Sequence, residues 1–213
     1  VERQAELCAI AAHNFPALDL NHISVRNDDG VAYLEAMSPV DCIFLDPARR
    51  NEHGGKTVAI SDCEPNVAEL EGLLLSKANR IMIKLSPMLD LSQALKELPH
   101  TQEVHIISVN NECKELLLLL GQTAPEEIQC YHWGDMDYGG IQIFLYNEKN
   151  IFPNLMPWKM DAPSYKAALE KEKGIKLCSK KQKKLEALNA GKLEVLKQCI
   201  LENKMEIEQE MLI

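Results

Sequence analysis

Apolar and polar positions follow one rhythm up to about residue 131 and another beyond it. Residues 3–13 carry Ala5, Leu7, Cys8, Ile10 and Ala11 at helical spacing. The short run at 23–25 predicts a strand, and 31–36 predicts a turn or two of helix. Residues 41–45, Asp-Cys-Ile-Phe-Leu, predict a strand that is apolar on both faces, as in the middle of a parallel sheet. Next come a helix over 67–77, a strand over 80–84, a helix over 92–98, a strand over 104–109, a helix over 112–120 and a strand over 127–131. The five leucines at 116–120 suit a buried helix. Strand and helix thus alternate with short connections. That pattern predicts an α/β fold: an open, mostly parallel sheet covered by helices.

Beyond 131 the pattern loosens. Residues 141–146 are apolar, 153–163 form a proline-containing loop, and 164–173 and 180–212 are helical and rich in lysine and glutamate. Lys180, Lys181, Lys183 and Lys184 make a basic run at a helix start, either a solvated face or a contact for a phosphate backbone. Charge changes at the same place. Residues 1–130 hold 10 basic and 20 acidic side chains, a net of −10, whereas 131–213 hold 13 and 12, a net of +1. A boundary near 130 therefore divides the chain into two expected domains, 1–130 and 131–213. The acidic first part gives no field for tight nucleic-acid binding, which weakens that substrate class without excluding it.

Seven cysteines lie at 8, 42, 63, 113, 130, 178 and 199, with no Cys-x-x-Cys pair and no zinc spacing, the usage of reduced core cysteines in a cytosolic protein. No apolar run approaches the roughly 20 residues that span a bilayer. No secretion signal opens the chain, and the start of the protein is expected upstream of Val1. The expected setting is the cytoplasm, with no membrane partner.

In open α/β sheets ligands bind beyond the carboxyl ends of the strands, so the residues that follow each strand matter most. A carboxylate there can accept both hydroxyls of a ribose, which suits Glu2. Asp29 can accept from an adenine amino group with Asn27 shaping the turn, or it can simply cap a helix. Asp46 and Pro47 supply a carboxylate, a carbonyl and a rigid backbone that can hold an amine while its lone pair faces an electrophilic methyl group. Arg49 and Arg50 are either substrate-phosphate contacts or structural ion-pair partners. Lys84 and Ser86 either line the pocket or serve the fold.

The order Glu2, Asn27-x-Asp29, Phe44-Leu45-Asp46-Pro47 resembles the class I methyltransferases that modify amino groups of nucleic acids. With the wider stretches Phe44 to Arg50, Lys84 to Asp90 and Asn111 to Glu115 added, residues 1 to about 130 are similar to the branch that carries a THUMP-like domain, which implies a Rossmann-like methyltransferase sheet, mostly parallel. The resemblance implies S-adenosylmethionine as cofactor, held by Glu2, Asn27 and Asp29. It implies an amine positioned by Asp46 and Pro47, and substrate contacts from Arg49, Arg50, Lys84 and Ser86. In that family a Gly-rich loop cradles the methionine part of the cofactor. No such loop precedes Glu2, and Gly54-Gly55 lies too late to replace it. Weak cofactor affinity is therefore expected.

The segment Trp133-Gly134-Asp135-Met136-Asp137-Tyr138-Gly139-Gly140 follows a strand. Two carboxylates two residues apart, flanked by glycines, are either a hard-metal site or an acidic turn. Together with Lys159-Met160-Asp161 and Ile207-Glu208-Gln209-Glu210, this segment resembles the Toprim domain of the Wadjet-type nuclease subunit, akin to the catalytic domain of topoisomerase VI. The resemblance implies Asp135 and Asp137 as Mg²⁺ ligands in DNA phosphodiester chemistry. The family's further glutamate, from an earlier strand, is replaced here by methyltransferase-like sequence. Glu208 and Glu210 fall in the expected helix as solvated or structural residues.

Three functions follow as expectations. The first is methyl transfer to a nucleobase amine, in RNA rather than DNA. The second is Mg²⁺-dependent cleavage of DNA. The third is a truncated, non-catalytic module that binds a partner through its helical tail. The sequence sets no oligomeric state.

Overall fold

The computed structural model describes residues 1–49, 59–110 and 112–212. The helices are α1 Ala5–Ala17, α2 Gly30–Ala36, α3 Val67–Lys77, α4 Leu91–Glu97, α5 Tyr138–Asn150, α6 Ala162–Glu170, α7 Ser179–Glu186 and α8 Glu194–Asn203. The strands are β1 Val40–Leu45, β2 Ala48–Arg49, β3 Cys63–Glu64, β4 Ala78–Leu85, β5 Thr101–Val109, β6 Glu112–Leu120, β7 Gln129–Trp133, β8 Met156–Pro157, β9 Ile175–Lys176 and β10 Met205–Glu206. Six strands form one sheet in the order β1-β4-β6-β5-β7-β8. The fold is α/β, with a mostly parallel central sheet. The β1–β4, β5–β7 and β7–β8 pairs are parallel, and β6 alone runs against its neighbours. Among the described residues no helix is long and apolar enough to cross a membrane.

Local chemistry explains where many helices begin. A side-chain oxygen at the N-cap accepts backbone N–H groups that the first turn leaves unpaired. Asp29, Asn66, Asp90, Asp137 and Asp161 do this for α2, α3, α4, α5 and α6. Two of these acids, Asp29 and Asp137, are among the candidate site residues.

Four expectations from periodicity are corrected. Residues 41–45, expected in the middle of the sheet, form β1 at its edge, with Cys42 and Phe44 exposed. Residues 112–120 are not a helix but β6, hydrogen-bonded on both sides. Leu116, Leu118 and Leu120 are buried, while Leu117 and Leu119 on the other face are half-buried. A five-leucine run has no period of its own, so pairing decided it. Residues 23–25 form no strand. The ladder contact that follows them is the isolated parallel bridge between Glu2 and Asn27. The tail after 180 is not one helix. Gly191, at φ 54°, opens a 3₁₀ turn, and α8 ends at Lys204, at φ 55°, before β10. Left-handed backbone cannot continue an α-helix.

One face of the sheet meets the helices and carries the core. Ile81, Ile83, Leu118, Val104 and the ring of His132 are buried there. The sheet is continuous across residue 130, because β7 pairs along β5 from Glu103↔Gln129 to Ile107↔Trp133.

Candidate functional site: two strand-end clusters

The first cluster lies at the carboxyl ends of β1 and β4. Asp46 follows β1, and Lys84 near the end of β4 reaches it, with Nζ 2.9 Å from Asp46 Oδ2 and 3.2 Å from Glu115 Oε2. The hydrogen bond to Asp46 raises the Lys84 ammonium above its ordinary range, against a smaller opposing effect of burial. Pro47 is buried, and Asp46 is exposed. Asp46, Pro47, Cys63, Lys84, Ser86 and Glu115 border a small cleft. The Ser86 hydroxyl accepts the Met88 N–H at 3.2 Å and so shapes the turn after β4.

Glu2, Asp28, Asp29 and Asp46 line a neighbouring cavity of about 290 Å³. The fold thus brings the expected ribose acid, adenine acid and amine-positioning acid to one place. Their local bonds are partly structural. Glu2 Oε1 accepts the Gln4 N–H at 2.6 Å. Asp29 Oδ1 accepts from Val31 and Ala32 N–H, both at 3.0 Å. Asn27 Nδ2 donates to the carbonyls of Glu2 and Arg3 and ties the two segments together. The side chain of Arg49, together with Arg50, Gly54, Gly55 and Asn111, lies outside the described residues.

The second cluster follows β7. Asp135 and Asp137 are buried, at 4% and 8% exposure. Asp135 Oδ1 accepts the Gln209 N–H at 2.9 Å. Met136 and Ile207 exchange backbone hydrogen bonds in both directions, at 2.8 and 3.2 Å. The two segments singled out in the sequence, 133–140 and 207–210, are thus bonded directly to each other across 70-odd residues. Gly140 is required by this packing: a Cβ on it would sit 2.0 Å from the Asp135 carbonyl oxygen. Asp161 caps α6 through Ser164 N–H at 2.7 Å, and Lys159 Nζ stands 5.2 Å above the Trp133 ring. Glu208 is half-buried, and Glu210 is exposed at the start of a 3₁₀ turn.

Asp137 has both oxygens engaged. Oδ1 accepts the Gly140 N–H at 2.7 Å, and Oδ2 lies 2.9 Å from Lys181 Nζ. The same ammonium reaches Glu206, 3.0 Å from Oε1 and 3.1 Å from Oε2. Burial would lower Lys181, but the carboxylates of Asp137 and Glu206 outweigh it and hold the ammonium well above its ordinary value. Burial pushes the Glu206 carboxyl up, against the pull of Lys181. Carboxylate oxygens are the donor chemistry that Mg²⁺ takes. With Lys181 seated between Asp137 and Glu206, however, the arrangement does not fit a divalent ion there. Among the described residues no three His, Cys, Asp or Glu side chains gather as a metal-holding group.

Sequence reading missed Lys181 and Glu206 as members of this cluster. Lys181 sits in the basic run already noted, but its inward turn has no local signal. Its partners are 44 and 25 residues away. Lys180, Lys183 and Lys184 of the same helix are exposed.

Fold and clusters together describe an α/β protein with acidic side chains gathered at strand ends, the second cluster being built by the chain's C-terminal part. The profile of the family described as "Wadjet protein JetD, C-terminal" matches residues 92–213, more than half of the chain, and the chain belongs to that family. A Wadjet protein JetD from Bacillus cereus (strain Q1) is 33% identical over 95 residues, 40% of this chain and 22% of that protein. The chain therefore spans about a fifth of the length of this curated relative. A crystal structure of a putative methyltransferase from Porphyromonas gingivalis W83 superposes with a TM-score of 0.53 at 36% identity, covering 61% of this chain and 33% of that one. The family match begins at α4, so β5 and β6 fall within it.

Proposed function

We propose that this chain is a DNA-directed module of a JetD-type Wadjet subunit, acting on the phosphodiester backbone through the acidic centre that follows β7. The observation that carries this reading is the joining of Asp135 to the 207–210 segment inside the family match, with α7 docked on the same centre. Lys180, Lys183 and Lys184 give that helix an exposed positive face. Such a face offsets the repulsion that buried carboxylates would impose on phosphate. Asp135 and Asp137 are the acids on which cleavage would depend, and Mg²⁺ is the ion that the Toprim resemblance brings with it. The chain's setting would be the cytoplasm.

The test is fluorescence anisotropy with a labelled DNA duplex over a salt series, followed by plasmid nicking with added Mg²⁺. Salt-dependent binding that weakens in Lys180→Ala/Lys183→Ala is expected, with the slope of log K against log salt falling by about 0.9 per lost phosphate contact. Nicking lost in Asp135→Asn would support the centre. Absence of salt-dependent binding by the folded chain would sink the reading.

A second reading is favoured by the cavity that gathers Glu2, Asp29 and Asp46. There the chain would hold S-adenosylmethionine and transfer its methyl group to a nucleobase amine positioned by Asp46 and Pro47, in RNA. Arg49, Arg50, Lys84 and Ser86 would meet the substrate. Calorimetric titration with S-adenosylhomocysteine decides it: micromolar binding lost in Asp29→Ala upholds the reading, and silence removes it.

A further inference from the structure

Three elements converge on one charge cluster: the start of α5 supplies Asp137, α7 supplies Lys181 and β10 supplies Glu206. The side chains of Asp137 and Glu206 are only 12% and 7% exposed, whereas Lys181 is 41% exposed. Two carboxylates drawn into a poorly solvated place repel each other and lose hydration, and one of them is forced to take a proton unless a cation compensates. In a carboxylate metal centre the divalent ion is that cation. Here the ammonium stands 2.9 to 3.1 Å from Asp137 Oδ2 and from both oxygens of Glu206.

We propose that Lys181 is the resident cation of this acidic centre, and that a divalent ion gains the site only when the ammonium leaves it. The inference rests on the reading of the β7-end acids as a divalent-ion centre for DNA chemistry, and it adds the occupant that holds the centre closed. An ammonium and a divalent ion cannot both occupy so small a space between the same oxygens, since like charges a few ångströms apart repel strongly in a poorly solvated site. The stem of Lys181 is long and flexible, and its side chain is the most exposed of the three, so it can leave without unfolding α5 or β10. Asp137 Oδ1 keeps its bond to Gly140 N–H whichever cation is present, so the start of α5 stays in place.

The experiment is a Mn²⁺ titration of the full chain without DNA, read by the loss of the free-ion electron paramagnetic resonance signal. It compares wild type, Lys181→Met, Lys181→Arg and Lys181→Met/Asp137→Asn, each checked for folding by circular dichroism. Lys181→Met is expected to bind Mn²⁺ at least tenfold more tightly than wild type. Lys181→Arg, which keeps a cation in place, is expected to match wild type, and the double variant to lose the gain. If methionine does not fold, Lys181→Gln keeps a hydrogen-bond donor between the carboxylates without the charge and is read in the same way. If wild type and Lys181→Met bind with equal, Asp137-dependent affinity, the role of Lys181 is overturned and the divalent-ion centre survives. If neither binds, both fall.

Discussion

His132 is fully buried, its Nε2 3.2 Å from Ser108 Oγ and its ring stacked on Phe144 at a centroid distance of 6.0 Å. Its Nδ1 finds no hydrogen-bond partner among the described residues. Burial pushes its pKa down to about 4. The folded protein therefore holds the ring neutral, whereas the unfolded chain takes a proton near pH 6.5. The stability that this residue permits is intact above about pH 6.5 and is lost as pH falls toward 4, by about 3 kcal/mol in all. Urea denaturation at a series of pH values checks this. The acid loss should shrink in His132→Gln, and an unchanged profile in that variant would place the titration elsewhere. His132 lies two residues before Gly134 and three before Asp135, so the pH of any assay on the acidic centre should stay above this window.

At the scale of elements, β6 is where pattern and structure part. Two phases of one leucine run face opposite sides of the sheet, with Leu118 at 0% exposure and Leu117 half-buried. Leu118→Ala should cost about 3 kcal/mol through transfer and cavity terms, and Leu117→Ala about 1 kcal/mol. Denaturant midpoints of the two variants test this. Equal costs would mean that the alternation by two does not describe the run. The helix caps make the opposite case. Asp29, which the sequence offers as a cap, does cap α2, and Asp90 and Asp161 cap α4 and α6 in the same way, because capping is local chemistry. The same locality makes Asp29 hard to assign, since one carboxylate serves equally as a cap and as a ligand for an amino group.

For the whole molecule, the sheet decides cooperativity. Composition and charge change near 130, yet β7 adds to β5 in register and β8 adds to β7. A single core runs from Leu34 to Ile207. The chain should therefore unfold in one calorimetric transition, with calorimetric and van't Hoff enthalpies equal. Two resolved transitions would show that the pairing of β5 with β7 does not couple the two parts.

The sequence by itself determined the α/β class, the positions of β1, α3, β4, α4 and β5 within a few residues, and the strand-end location of Asp46, Asp135 and Asp137. Period, capping and punctuation act over a few residues, and so they are written locally. Only the tertiary structure decided that 112–120 is an antiparallel strand, because an all-apolar run carries no period and its form depends on the neighbours that pair with it. Tertiary packing also decided that Asp135 meets Gln209 and that Lys181 turns inward to Asp137 and Glu206. These contacts join residues 25 to 74 positions apart. No local preference encodes such a meeting. It follows from the folding of α5, α7 and the C-terminal segment onto the end of β7, where buried carboxylates need a cation and the nearest lysine supplies it.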